Sequence, residues 1–341
     1  MAVLDYNRRL SNLQSRRFDP GLNESALTKS FSAADIPQDI KYLFESMKPI
    51  GEKYNAKTIQ AAENVQGHLE RGLKVHFERA YRTQGSVKTN TNIRVHSDFD
   101  LLTIIDRYFY PQTSNGNTYT ASDPDEDIQE LRKQATEIMK FQYDTVDDSG
   151  DKCISIENKH LNRKVDIVFA YWYNSDKYQE VKDEFYRGIY LYNFKKKTKH
   201  RDFPFATIHN VNVKGDNTND GLRKGVRLLK NLRADSEIEL KVLKSFQLNS
   251  IVYSIDNAPL SYNVGDEIRI ARVVSEQMGK LIDEPIYRKS IVSPNGVEKP
   301  LIDDDTVPEL VLLKSDLDTL IEDASKDLYK SHTLQRTILS Y

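Results

Sequence analysis

The sequence predicts an α+β fold in two lobes, a mixed β-sheet in the N-terminal part and a helical C-terminal lobe with a cleft between them. Three observations carry this. Apolar residues alternate with period two only before Pro204, in segments such as DFDLLTIID and RKVDIVFAYWYN, as strands require. After Pro204 the apolar spacing becomes three and four, the helical period, in four successive segments. The chain of 341 residues, 38% hydrophobic, is long enough for one large domain or two fused lobes.

Taken in order, residues 35–73 carry helically spaced apolar positions: Ile40, Leu43, Phe44 and Met47, then Ile59, Ala62, Val65 and Leu69. Pro49-Ile50-Gly51 interrupts them, so the segment reads as a spine of one long helix or two. Strands come next, over residues 76–82 and 97–105. DEDIQELRKQATEIMKFQYD reads as a helix opened by acidic residues. CISIENK and RKVDIVFAYWY supply further strands, and GIYLYNF leads into a hairpin tipped by Lys195, Lys196, Lys197, Lys199, His200 and Arg201. Helices are expected over residues 221–232, 237–255, 265–281 and 307–328. Between the last two, residues 284–308 form a loop with a turn at Pro294-Asn295-Gly296. The division expected is 1–203 for the sheet-bearing part with its spine and 204–341 for the helical lobe.

The chemistry concentrates in RTQGSVKTNTNIRVHSDFDLLTIID. Alternation puts Phe99, Leu101, Thr103 and Ile105 on one side of a strand and Asp98, Asp100, Leu102 and Ile104 on the other. Two carboxylates on one face repel each other and lose hydration unless a cation lies between them. Mg²⁺, or Mn²⁺ in its place, takes carboxylates, waters and phosphates together. Gly85 lets the backbone approach a polyphosphate, and the residues after it can open a short helix whose N–H groups, with the Ser86 hydroxyl, face anionic oxygens. The bland reading of the same residues is a helix N-cap at Ser86 and a solvated acidic pair.

Two ions flanking a transferred phosphoryl group need a third carboxylate, and Asp166 in RKVDIVFAYWYN is the candidate. There Val165, Ile167 and Phe169 share one face, with Asp166, Val168 and Ala170 on the other. Its bland alternative is an edge-strand aspartate facing water.

Gly85-Ser86, Asp98, Asp100 and Asp166 together resemble the active-site pattern of the DNA polymerase β-like nucleotidyltransferases. Within that superfamily the chain most resembles the bacterial cGAS/DncV-like nucleotidyltransferases. The closer likeness lies in QGSVKTNTNIRVHSDFDLL, in FPFATIHNVNVKGDNTNDGLRKGVRLLKNLR and in LKSFQLNSIV. The resemblance implies Asp98, Asp100 and Asp166 as catalytic metal ligands, and a reaction in which nucleoside triphosphates, ATP first among them, are joined into a cyclic di- or trinucleotide with release of pyrophosphate. It also implies an anti-phage (CBASS) role, with a downstream effector that binds the product. On this likeness Lys230 contacts triphosphate, Ser245 hydrogen-bonds phosphate and Phe246 stacks on a base. Read without it, Lys230 lies with Arg223 and Arg227 on a basic helix stripe that is ordinarily a solvated face, and Phe246 is equally a core residue.

Composition narrows the alternatives. A net charge of −2 disfavours a polyanion binder, and the basic hairpin tip reads as a solvated loop. Cys153 is the sole cysteine, so neither an intrachain disulfide nor a Cys/His zinc site is available. The zinc-bearing DNA-recognition insertion of cyclic GMP-AMP synthase is thus missing, and DNA activation is not expected. MAVLDYNRRL lacks an apolar signal core and no run has the length of a membrane span, so a cytoplasmic protein is expected. The competing functions are a nucleotidyltransferase acting on an RNA or small-molecule acceptor and a catalytically silent nucleotide-binding protein.

Overall fold

The change of period at Pro204 corresponds to a change of architecture in the computed structural model, which describes residues 3–19, 24–25, 36–95, 97, 99–113 and 122–330. Helix α1 (Tyr6–Arg17) opens the chain, its first turn capped by the Asp5 carboxylate accepting from the Arg8 amide. A two-residue ladder pairs β1 (Phe18–Asp19) with β2 (Glu24–Ser25). The spine, expected as one long helix or two, is two helices, α2 (Gln38–Met47) and α3 (Glu52–Gly72), broken where Pro49 cannot donate to a helix and Gly51 starts the next one.

The sheet is built from β3 (Arg79–Gln84), β4 (Asp100–Pro111), β5 (Thr145–Asp147), β6 (Cys153–Asn158) and β7 (Arg163–Asn174), with helix α4 (Pro124–Gln142) between β4 and β5. Asp123 caps α4 and Pro124 fills its first turn, which agrees with the acidic opening read from the sequence. Strand order is β3-β4-β7-β6-β5, and only the β4/β7 pair is parallel. After the short helix α5 (Asp176–Val181) the chain forms the antiparallel hairpin β8 (Arg187–Asn193) and β9 (Thr198–Asp202), in which β8 joins the C-terminal half of β7. Lys195, Lys196 and Lys197 tip this hairpin as expected, whereas Lys199, His200 and Arg201 lie within β9, with Lys199 Nζ donating to the Tyr110 hydroxyl at 2.7 Å.

Alternation along β4 and β7 divides the core into two faces. Leu101, Ile105, Ile167 and Phe169 pack under Val65 and Leu69 of α3 and Leu131 and Met139 of α4. Leu102, Ile104, Val168, Ala170 and Trp172 form a smaller cluster on the opposite face. Arg163, 1% exposed, fixes the start of β7 by donating to the Thr58 hydroxyl at 3.0 Å and the Tyr54 carbonyl at 3.2 Å, both on α3.

The remaining elements are helical: α6 (Pro204–Asn217), α7 (Gly221–Asp235), α8 (Ser245–Tyr253), α9 (Asn257–Leu260), α10 (Glu267–Asp283), α11 (Pro285–Ser290) and α12 (Thr306–Lys330). Their core gathers Val226, Leu229, Leu248, Val274, Met278 and Leu317, together with Leu13 of α1 and Leu43 of α2. Among the described residues no helix is long and apolar enough to cross a membrane.

The chain divides into two units that are not contiguous in sequence. One comprises Met1–Ile50, Thr89–Val95 and Asn210–Tyr341; the other comprises Gly51–Lys88 and His96–His209. This differs from a single cut after residue 203: α1 and α2 share a core with the C-terminal helices because their apolar stripes are completed there, while α3 covers the sheet. Several element boundaries also differ from expectation, and the strand expected over 76–82 spans Arg79–Gln84. The strand expected over 97–105 starts at Asp100 and runs to Pro111. The helix expected over 237–255 begins only at Ser245, because the amides of Lys241, Val242 and Leu243 donate to the Glu309 carboxylate instead of closing helical turns. The loop expected over 284–308 contains α11, while its turn is where expected, Gly296 having φ 78°.

Candidate active site

The parallel β4/β7 ladder aligns Asp100 with Asp166 as direct neighbours. Directly paired residues on adjacent strands face the same side about 4.8 Å apart along the hydrogen-bonding direction, so the carboxylates leave one face together. The register extends outward on both sides, because Gln84 pairs with Asp100 across β3/β4 and Ser155 pairs with Asp166 across β6/β7. Four polar side chains thus stand in one row across four strands: Gln84, Asp100, Asp166 and Ser155.

Each carboxylate of the row receives a donor from the strand beyond it. Gln84 Nε2 donates to Asp100 Oδ2 at 3.0 Å, and Ser155 Oγ donates to Asp166 Oδ1 at 2.6 Å. Lys164 Nζ stands 3.6 Å from the same Asp166 oxygen, an ion pair weakened by its exposure to water. The negative field of the pair is felt one strand position away: burial first, then the Asp166 and Asp100 charges, push the Cys153 thiol above its ordinary range. Neither Gln84 nor Ser155 was singled out by sequence patterning. Alternation alone puts Ile154 and Ile156 inward and Ser155 on the opposite face, but only the register shows which carboxylate it meets.

Gly85 comes directly after β3 with φ 111°, a backbone conformation that a side chain disfavours, so the glycine at this position has a steric reason. Ser86 is half-buried in the adjoining turn. Residues 86–90 form successive turns, with the Lys88 amide donating to the Gly85 carbonyl, rather than the short helix expected. Asp98, the other half of the D-x-D pair, lies outside the described residues. Among the described residues no group of three or more His, Cys, Asp or Glu side chains is gathered to hold a metal. Asp100 and Asp166 by themselves offer hard oxygen donors of the kind that suit Mg²⁺.

The other three expected residues belong to the helical unit. Lys230 on α7 is only 7% exposed, so its stripe is not a solvated face. Its Nζ donates to the Thr91 carbonyl at 3.0 Å, and burial, reinforced by the charge of Arg227, lowers its pKa to about 7. Arg227 is fully buried and donates to the Asn90 carbonyl at 2.6 Å. Arg227 and Lys230 therefore both grip the backbone of the 89–95 segment. Ser245 is exposed at the first position of α8. Phe246 is next to it, half-buried and not among the residues of the helical core, which disfavours the plain-core reading.

A family model of the cGAS/DncV-like nucleotidyltransferase C-terminal helical domain matches residues 209–330. The c-di-GMP synthase of a Lachnospiraceae bacterium is 34% identical over 295 residues, covering 77% of this chain and 82% of that protein. The c-di-GMP synthase of Capnocytophaga granulosa is 32% identical over 330 residues, covering 87% of this chain and 91% of that protein. A solved structure of a STING-associated CdnE c-di-GMP synthase from Capnocytophaga granulosa superposes with a TM-score of 0.81 at 30% identity, covering 95% of this chain and 99% of that chain. Similarity of this extent, joined to the paired carboxylates and the glycine-serine turn, means that the chain belongs to the bacterial cGAS/DncV-like nucleotidyltransferases and is an enzyme of that family.

Proposed function

We propose that this enzyme joins two nucleoside triphosphates into a cyclic dinucleotide, releasing pyrophosphate at each bond formed, and that GTP is its substrate with c-di-GMP as product. The observation that carries the chemistry is the Asp100/Asp166 register pair, each member held by its own donor. The choice of guanine is supported by the similarity to proteins described as c-di-GMP synthases, among them those of the Lachnospiraceae bacterium and Capnocytophaga granulosa. It replaces ATP as the leading expectation.

In this reading Asp98, Asp100 and Asp166 hold Mg²⁺. When bound, the metal neutralises the pyrophosphate leaving group and lowers the pKa of the attacking ribose hydroxyl. The chain itself positions the reactants. Gly85 lets its backbone approach the triphosphate, Ser86 donates to a phosphate oxygen, and Ser155 keeps Asp166 from rotating away from Asp100. Ser245 and Phe246 at the start of α8 contact phosphate and base, and Lys230 contributes to triphosphate binding. A second attack of the same type on the linear intermediate closes the ring. A role in anti-phage signalling, with an effector that reads the product, is supported by the STING association of the Capnocytophaga granulosa synthase.

The test is incubation of the purified chain with Mg²⁺ and the four nucleoside triphosphates, one labelled at a time, then phosphatase treatment and mass spectrometry. The expected outcome is a phosphatase-resistant cyclic dinucleotide formed from GTP alone. A mixed or adenine product would overturn the guanine assignment. Label transferred only to an added RNA or small molecule would overturn the cyclase reading itself.

A further inference from the structure

The loop before α8 is held by a carboxylate from a distant part of the chain. Glu309, in the first turn of α12, accepts from the Lys241 amide at 2.7 Å, from the Val242 amide at 3.0 Å on each of its oxygens, and from the Leu243 amide at 2.8 Å. Three consecutive backbone amides converging on one carboxylate form the kind of concavity that otherwise binds a free anion. The same loop is also held by Arg233 of α7, whose Nη2 donates to the Leu240 carbonyl at 2.9 Å. Leu240 and Leu243 are 3% and 0% exposed and tie the loop into the helical core. Although burial pushes the Glu309 carboxyl upward, its three amide donors and Arg233 outweigh that, and it stays below the ordinary carboxylate range.

Helix α8 continues directly from this loop. It starts at Ser245 with Lys244 as its N-cap, and no side chain caps it. Its first turn, which carries Ser245 and Phe246, is therefore set by the loop that Glu309 and Arg233 grip. We propose that Glu309 is a positioning residue for the nucleotide: through the amides of Lys241, Val242 and Leu243 it fixes where Ser245 and Phe246 meet the substrate. This rests on the nucleotide-binding role given to Ser245 and Phe246 under the proposed function.

Glu309→Gln is nearly isosteric but places an amide donor against backbone donors. Binding of a non-hydrolysable GTP analogue, measured by calorimetry without turnover, should weaken roughly tenfold in this variant, since a small displacement of contact groups is costly. KM should rise by a similar factor while kcat changes little. The deciding measurement is the double-mutant cycle with Phe246→Ala. If Glu309 acts through Phe246, its substitution has little further effect on affinity once the ring is gone. A lowered melting temperature with unchanged analogue affinity, or fully additive effects in the cycle, would overturn the positioning role while leaving the enzyme's function intact. Wild-type protein that bound no GTP analogue would overturn both. Should Glu309→Gln fail to fold, Arg233→Lys, which loosens the same loop through the Leu240 carbonyl, carries the same expectation and the same refuting outcomes.

Discussion

Replacing Lys230 with methionine should stabilise the protein at pH 7 and cease to do so at about pH 9. The lysine is 7% exposed, and burial brings its pKa from 10.5 to about 7. Keeping that ammonium charged inside the fold therefore costs about 4 to 5 kcal/mol relative to the unfolded chain. Methionine keeps the apolar stem and removes the charge, but it takes the Nζ donor away from the Thr91 carbonyl, a loss of about 1 to 3 kcal/mol. The balance at pH 7 favours the variant by roughly 2 kcal/mol.

Its pH dependence has a definite sign. Between about pH 7 and 10.5 the unfolded chain keeps the Lys230 proton that the folded chain has released, so wild-type stability rises with pH across this window. The variant lacks that contribution. Its advantage shrinks by about 1.4 kcal/mol per pH unit and reverses at about pH 9, and by pH 10.5 only the lost bond to Thr91 remains. Urea unfolding of both proteins at pH 7, 8, 9 and 10 measures this, because every other titrating group cancels in the difference. A difference independent of pH would refute the reasoning. Triphosphate affinity of the same variant tests its other role: weakened binding despite higher stability would keep Lys230 at the phosphates.

Asp166→Asn should lower pyrophosphate release by about a thousandfold or more with a small change in nucleotide KM, and should leave the melting temperature unchanged or raised because a repelling neighbour of Asp100 is neutralised. Ser155→Ala should weaken Mn²⁺ binding, read by the free-ion EPR signal, by about 10- to 100-fold, with Ser155→Thr restoring it; equal binding would reduce Ser155 to a strand residue. Phe246→Ala should cost about 1 to 3 kcal/mol of nucleotide binding with a small stability change if the ring stacks on a base, against about 3 to 5 kcal/mol of folding stability if the ring is core.

Much of this was legible in the sequence because it depends on local period. The two faces of β4 and β7, the break at Pro49, the hairpin of β8 and β9 and the turn at Gly296 come from alternation and from proline and glycine. That Asp100 and Asp166 would be found beside polar partners was legible too, since carboxylates inside apolar strands are costly alone. Local period could not supply register or remote competition. Ser155 and Gln84 look ordinary until strand pairing sets them beside the carboxylates. Residues 237–244 have helical spacing, yet they do not form a helix because a glutamate far along the chain takes their amides. Lys230 and Arg227 have the spacing of a solvated stripe, and only tertiary packing reveals that both donate to the backbone of residues 90 and 91.

The row of four polar side chains also bears on how the protein matures. β3 and β4 form one antiparallel pair, carrying Gln84 and Asp100, while β6 and β7 form another, carrying Ser155 and Asp166. Each half brings one member of the Asp100/Asp166 pair with its own donor and can condense from segments near each other in sequence. Their union is the parallel β4/β7 pairing, which closes a much longer loop through α4 and so belongs to the slow, non-local part of folding. Repulsion between the two aspartates first arises in that same step. A chain still emerging from the ribosome therefore holds no Asp100/Asp166 pair until β7 has been made, and a divalent cation should hasten the final docking of the two halves by screening the charges that meet there.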